Sequence, residues 1–112
     1  MRMSEPIRED ILKDYQIFDI RNKDEWQESG VIKDAVLLSF TLDNGSIDPE
    51  FIDKFSKLAD KNKEIAFVCA TGHRSSAATY LIKSQLGLDT TNLKGGMFSL
   101  IEQGYQTTPY KE

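Results

Sequence analysis

Cys69 is the only cysteine in the chain. It stands where an apolar run, Ile65-Ala66-Phe67-Val68, gives way to Ala70-Thr71-Gly72-His73-Arg74 and then to a helical stretch from Ser75. A lone cysteine at a strand end is by default an inert, buried small hydrophobe. A cysteine in a glycine-containing loop that opens a helix is a candidate nucleophile. The helix N-terminus turns its unpaired N–H groups and the positive end of its dipole back on the loop. Those groups favour an anion, whether a thiolate or a substrate. With Gly72 and Arg74 in the loop, the reactive reading outweighs the inert one. It predicts a midpoint for alkylation against pH clearly below the free-thiol value of about 8.5.

The neighbouring side chains divide by role. Arg74 adds a fixed positive charge where the helix dipole disfavours one, which points to holding an anion; a solvated first-turn arginine is the bland alternative. Ala70 and Thr71 matter through their backbone N–H groups, and Ser75 closes that set. Gly72 marks a position needing unusual backbone angles. His73 reads as an exposed loop residue, with substrate contact second, because loop amides can activate the thiol without a base.

The elements that must position these residues alternate strand and helix. Gln16–Ile20, Ala35–Phe40, Ile65–Val68 and Thr90–Lys94 read as strands. Asn22 caps a short helix with Glu25 as its reciprocal partner; that helix carries Trp26 and ends near Gly30. Asn44-Gly45 marks a turn. Asp48 caps a helix starting at Pro49, with Phe51, Ile52, Phe55, Leu58 and Ala59 on one apolar face. The helix after the Cys69 loop runs to about Leu86 and stops at Gly87. Gly95-Gly96 opens a last helix through Gln103. A short helix near Lys13 precedes the first strand, and the tail from Tyr105 is irregular. Apolar strands alternating with helices imply an α/β fold: a mainly parallel sheet of four to five strands with helices on both faces. Functional groups of such sheets gather at the carboxyl ends of the strands. That rule brings Asp19-Ile20-Arg21, Ser39-Phe40, the Cys69 loop and Lys94-Gly95-Gly96 to one edge.

Composition bounds the rest. At 112 residues the chain is expected to be one domain, 1–112, able to bury a core without staples. One Cys and one His exclude an internal disulfide and a Cys/His zinc site. A net charge of −4 without a basic run argues against nucleic acid or an anionic membrane as partner. The start Met1-Arg2-Met3-Ser4-Glu5-Pro6 is not read as a secretory signal, and a cytoplasmic location is expected.

The residues resemble the rhodanese family of sulfurtransferases, over about residues 16–105. Phe18-Asp19-Ile20-Arg21 with Glu25-Trp26 is similar to that family's Asp-x-Arg segment and its acidic-aromatic pair. Cys69-Ala70-Thr71-Gly72-His73-Arg74-Ser75 is similar to its active-site loop, and Leu93-Lys94-Gly95-Gly96-Met97 to its Leu-x-Gly-Gly segment. Two departures stand out. Gly30-Val31-Ile32-Lys33-Asp34-Ala35 replaces the frequent Gly-His-Ile-Pro-Gly-Ala. Phe98 or Leu100 takes the region of a frequent tryptophan. Both look like packing and turn positions.

The resemblance implies a two-step sulfur transfer with no cofactor. The Cys69 thiolate takes the outer sulfur of a small anionic donor such as thiosulfate, releasing sulfite, and the persulfide passes it to cyanide or a thiol. Loop amides stabilise the sulfur anion, and Arg74 holds the donor's oxygens. Asp19 and Arg21 are expected to form a polar network beneath the loop. Gly95 and Gly96 are expected to support it by permitting a tight turn. Arg21 with Glu25 as an ordinary helix-start ion pair is the plainer reading. Two other functions remain open. A Cys-dependent phosphatase or arsenate reductase holds an oxyanion in a similar loop, but with five residues between Cys and Arg rather than the four here. A non-catalytic module, or a relay loading from a partner's persulfide, uses the same residues.

Overall fold

Phe18, Phe67, Phe51 and Phe55 are fully buried, and their contacts explain why the chain folds as it does. Phe18 meets Phe55 and Phe67 at ring-centre distances of 5.0 and 5.8 Å, and Phe40 meets Phe51 edge-on at 4.9 Å. Each such side chain contributes about 1.5–3 kcal/mol by leaving water. The computed structural model describes residues 3–111. In chain order these form β1 (Ser4–Pro6), a 3-10 helix (Glu9–Asp14), β2 (Gln16–Asp19), α1 (Lys23–Ser29), β3 (Val36–Leu37), α2 (Phe51–Leu58), β4 (Ile65–Val68), α3 (His73–Leu86), β5 (Thr91–Lys94) and α4 (Gly96–Glu102).

The strands make one five-stranded parallel sheet in the order β1-β5-β4-β2-β3. Alternate residues of β4 serve opposite faces. Ile65 and Phe67 join the cluster with Phe51, Phe55, Ala78 and Ile82 of α2 and α3. Ala66 and Val68 join Met97 and Leu100 of α4, with Ile7 and Ile32. A sheet buried on both faces needs apolar residues at every position, which is why β4 reads as a continuous run. Cys69 continues the alternation onto the α2–α3 face. α3 presents Ser75, Ala78, Thr79 and Ile82 to that face at helical spacing.

Several elements depart from the sequence reading. β1 is a polar, proline-containing strand at a sheet edge, where a missing N–H is tolerated. The strand expected over Ala35–Phe40 pairs as a strand only at Val36–Leu37, although Leu38 and Phe40 still donate to Asp19 and Ile20 carbonyls at 3.1 Å. α2 begins at Phe51 rather than Pro49; Asp48 accepts from the Glu50 N–H at 2.8 Å, ahead of the helix. α4 ends at Glu102, with Gln103 capping it. The tail is irregular but pinned: Val31 and Thr108 exchange two backbone bonds of 2.8 Å, and Tyr110 lies 5.6 Å from Trp26. Asp34, where the resembling family has its second glycine, sits at φ 67°, a left-handed conformation that Asp tolerates better than most residues.

Candidate active site

All strands being parallel, their carboxyl ends share one edge. Register sets Asp19 opposite both Val68 and Leu37, so the segment after β2 and the Cys69 loop are neighbours. The Cys69 thiol lies at the foot of α3 with 1 % of its residue surface exposed. Its Sγ accepts the N–H of Gly72 at 3.1 Å and of Ser75 at 3.3 Å, and lies 3.3 Å from Ser75 Oγ. The loop can wrap the sulfur because Gly72 turns at φ 108° and stands against the Gly95 backbone, where a Cβ would be 3.3 Å from the Gly95 nitrogen. From the other side the start of α4 holds the loop's carbonyls. Met97 N–H donates to Cys69 O at 2.8 Å and Phe98 N–H to Ala70 O at 3.0 Å. Two helix starts therefore fix the loop, one through the sulfur and one through the chain beneath it.

Asp19 and Arg21 form a buried, bidentate pair. Arg21 Nε lies 3.0 Å from Asp19 Oδ1, and Nη2 lies 2.8 Å from Oδ2. The same guanidinium donates to Ser29 Oγ at 2.6 Å and to Gly30 O at 2.7 Å. It ties the end of β2 to the end of α1. The plainer alternative, an Arg21–Glu25 ion pair, is not formed by their side chains; Arg21 reaches only the Glu25 carbonyl, at 3.5 Å.

The Glu25 side chain turns to Arg74 instead, and this corrects the expectation of a free arginine beside the loop. Nη1 and Nη2 of Arg74 meet the two Glu25 oxygens at 2.7 and 2.8 Å, the fork-to-carboxylate geometry that only arginine makes. Glu25 also accepts the Asn22 N–H at 3.1 Å, its part in the reciprocal capping box expected from sequence. Arg74's hydrogen bonds, then the Asn22 N–H, hold the Glu25 carboxyl below the usual carboxylate range, and Glu25 holds Arg74 above its ordinary value. A depressed carboxyl contributes stability above its unfolded value that is lost as pH falls through the folded one. The stability advantage of the wild type over Glu25→Gln is therefore expected to be full at neutral pH. It should shrink below about pH 4.3, the ordinary glutamate value. Urea titrations of both proteins at neutral and acid pH check this; an advantage that grows in acid would refute it.

His73 is exposed, with Nδ1 at 3.2 Å from Thr71 Oγ1, and among the described residues no titratable base is hydrogen-bonded to the sulfur. A cavity of about 320 Å³ opens beside the loop, lined by Ala70, Thr71, Met97, Phe98, Ile101 and Glu28 among others. Phe98, in the region of the missing tryptophan, is 67 % exposed there. Lys94 instead borders a separate groove with Asn92 and Tyr80. Sequence reasoning missed Asn92, whose carbonyl oxygen accepts from Ser75 Oγ. The available signal was an asparagine beside Leu93 within the short strand read over Thr90–Lys94.

A parallel α/β sheet with a sulfur-centred loop at its carboxyl edge, braced by a buried Asp–Arg pair and a double-glycine helix start, defines a rhodanese-like domain. The family model described as rhodanese-like domain matches residues 7–103, and the chain belongs to that family. Among solved structures, a rhodanese-related protein from Thermoplasma volcanium is 27 % identical, with a TM-score of 0.74 over 98 % of this chain and 100 % of that one. A rhodanese-like domain protein from Staphylococcus aureus is also 27 % identical, with a TM-score of 0.68 over 96 % and 99 %. The reduced CoADR-RHD of Bacillus anthracis shares the fold at 17 % identity and a TM-score of 0.65, covering 86 % of this chain but 16 % of that one. No curated protein matches the chain. Among the described residues, no helix is long and apolar enough to cross a membrane.

Proposed function

We propose that the protein is a sulfurtransferase in which Cys69 carries sulfane sulfur as a persulfide. The observation that carries this is the seat of Sγ, which receives the Gly72 and Ser75 N–H groups at the start of α3. Those donors and the helix dipole stabilise negative charge on sulfur before and after transfer. In the first step the Cys69 thiolate attacks the outer sulfur of thiosulfate or a similar donor. The Cys69 S–S bond forms, the donor's S–S bond breaks, and its electron pair leaves with sulfite. A thiol or cyanide then removes the sulfur and returns the thiolate. The backbone of Ala70, Thr71, Gly72, His73, Arg74 and Ser75 forms the cradle, with Asp19, Arg21, Gly95 and Gly96 supporting it. A lone thiol on this path suits the reducing cytoplasm.

The test is intact mass after incubation with thiosulfate. The wild type is expected to gain one sulfur atom and Cys69→Ser none. Gain by both would remove Cys69 from the reaction, and no gain by either with thiosulfate, mercaptopyruvate and a protein persulfide would refute the proposal. One observation favours a relay over a free thiosulfate enzyme. Arg74 is paired with Glu25, Arg21 at the cavity wall is buried against Asp19, and the mouth presents exposed Phe98 and Ile101 rather than an unpaired cation. A relay loads faster from a protein persulfide than from thiosulfate. The four-residue spacing from Cys69 to Arg74 and this neutralised arginine disfavour a phosphatase, which needs a free guanidinium for its oxyanion.

A further inference from the structure

Behind Cys69 lies a buried chain of polar side chains; the sulfur-transfer reading uses the Ser75 N–H but neither the Ser75 hydroxyl nor Asn92. Ser75 is fully buried on α3, and Asn92 on β5 is 7 % exposed. The Phe67↔Asn92 register places Asn92 next to β4, and its side chain reaches Ser75 on the face that also holds Cys69. Ser75 Oγ touches Cys69 Sγ at 3.3 Å and donates to Asn92 Oδ1.

Counting protons gives this chain a direction. A serine hydroxyl has one proton and accepts with its lone pairs. With that proton directed at Asn92 Oδ1, a hydrogen bond between Sγ and Ser75 Oγ requires the thiol S–H as its donor. A thiolate or a persulfide anion has no proton to give, and its best use of Ser75 is to accept the hydroxyl proton. If the hydroxyl turned to sulfur while Asn92 stayed, two oxygens would face each other with no proton between them. Turning the carboxamide over removes the conflict, because Nδ2 then donates to Ser75 Oγ and Ser75 donates to sulfur. Room for the turn exists. Asn92 also lines a groove of about 370 Å³ bounded by α3, β1 and β5, and among the described residues nothing accepts from Nδ2 as it stands.

We propose that Asn92 is a positioning residue for the reacting sulfur: its carboxamide sets the direction of the Ser75 hydroxyl and turns over when Cys69 passes from thiol to anion. No proton passes onto Asn92. The thiol proton leaves to solvent, and the amide only rotates. The charged and titratable groups on the segments beside the loop include Asp19 at the end of β2 paired with Arg21, Glu25 on α1 paired with Arg74 on α3, His73 against Thr71, and Lys94 at the end of β5. None of them touches Ser75 Oγ or the Asn92 amide, so the switch is local to the three side chains.

This inference rests on Cys69 being the reacting group, but its tests need no sulfur donor. Failure to load sulfur and failure of the switch are separate results. In the intact protein labelled with 15N at asparagine, the Asn92 side-chain amide is assigned by its absence from Asn92→Asp. It is then followed through the Cys69 titration. Its resonances are expected to move with the midpoint of Cys69 alkylation and to stay fixed in Cys69→Ser. Resonances that stay fixed in the wild type, or move equally in Cys69→Ser, overturn the proposal. Two substitutions give opposite signs. Asn92→Asp offers only acceptors, keeps the Ser75 proton away from sulfur, and is expected to raise the alkylation midpoint by about one unit, a tenfold loss of thiolate. Asn92→Leu leaves Ser75 free to face sulfur and is expected to lower it, an effect that Ser75→Ala abolishes. Movement of both variants in the same direction, or no movement of either, contradicts the switch, since a merely structural role has no sign.

Discussion

Arg21→Ala is expected to cost the folded state about 3–5 kcal/mol, the usual loss when one partner of a buried ion pair is removed. Asp19 would remain fully buried with its charge uncompensated. The Gly30 carbonyl and the Ser29 hydroxyl would also lose the donors that Arg21 supplies. At about 4–8 °C per kcal/mol for a domain near this size, the melting temperature should fall by more than about 10 °C. The penalty comes from the stranded carboxylate rather than from a lost attraction, and that can be separated experimentally. In Asp19→Leu/Arg21→Met no charge is left behind, so the double variant should be no less stable than Arg21→Met alone. Urea unfolding of the three proteins decides it. A double variant clearly weaker than the single would mean that Asp19 stabilises the fold even without Arg21, and that a stranded carboxylate is not the source of the penalty.

Most of the sheet was legible because its strands are buried on both faces. Ile17–Phe18 and Ile65–Val68 carry no alternation to mislead, and Gly87 and Gly95 mark helix boundaries. β1 was illegible for the converse reason. Ser4, Glu5 and Pro6 have no apolar signal, and only pairing with β5 makes them a strand. The Cys69 loop could be read locally, since a strand, a glycine and a helix start lie within a few residues. The fate of Arg74 could not. Its partner Glu25 is 49 residues away and already had a local role at the Asn22 cap. Asn92 was hidden by burial, because a polar residue in a short strand resembles an edge position until the register sets it beside β4. The misses share one cause: each side chain is defined by a contact across the sheet edge, and the sequence shows only neighbours along the chain.

Gly96→Ala should uncouple the site from the fold. Gly96 turns at φ 63°, and a Cβ there would lie 2.5 Å from the Ala70 carbonyl oxygen and closer still to that of Cys69. Both atoms are backbone, so no rotamer change relieves the contact. The loop must move away from α4, and the Met97→Cys69 and Phe98→Ala70 hydrogen bonds go with it. Two hydrogen bonds at about 1 kcal/mol each, with backbone strain of about 1 kcal/mol, predict a loss of about 3 kcal/mol, which the core can survive. The chemical effect should be larger than the thermodynamic one. A displacement approaching 1 Å at a reacting atom costs about 100-fold in rate, so persulfide formation on Cys69 should slow by that order in a protein that still folds. Gly45→Ala provides the control. Gly45 also has positive φ, but its added methyl meets nothing within 4 Å; that variant should lose only about 1 kcal/mol and load sulfur at the wild-type rate. Equal rates in the two variants would show that the brace from α4 does not set the position of the sulfur.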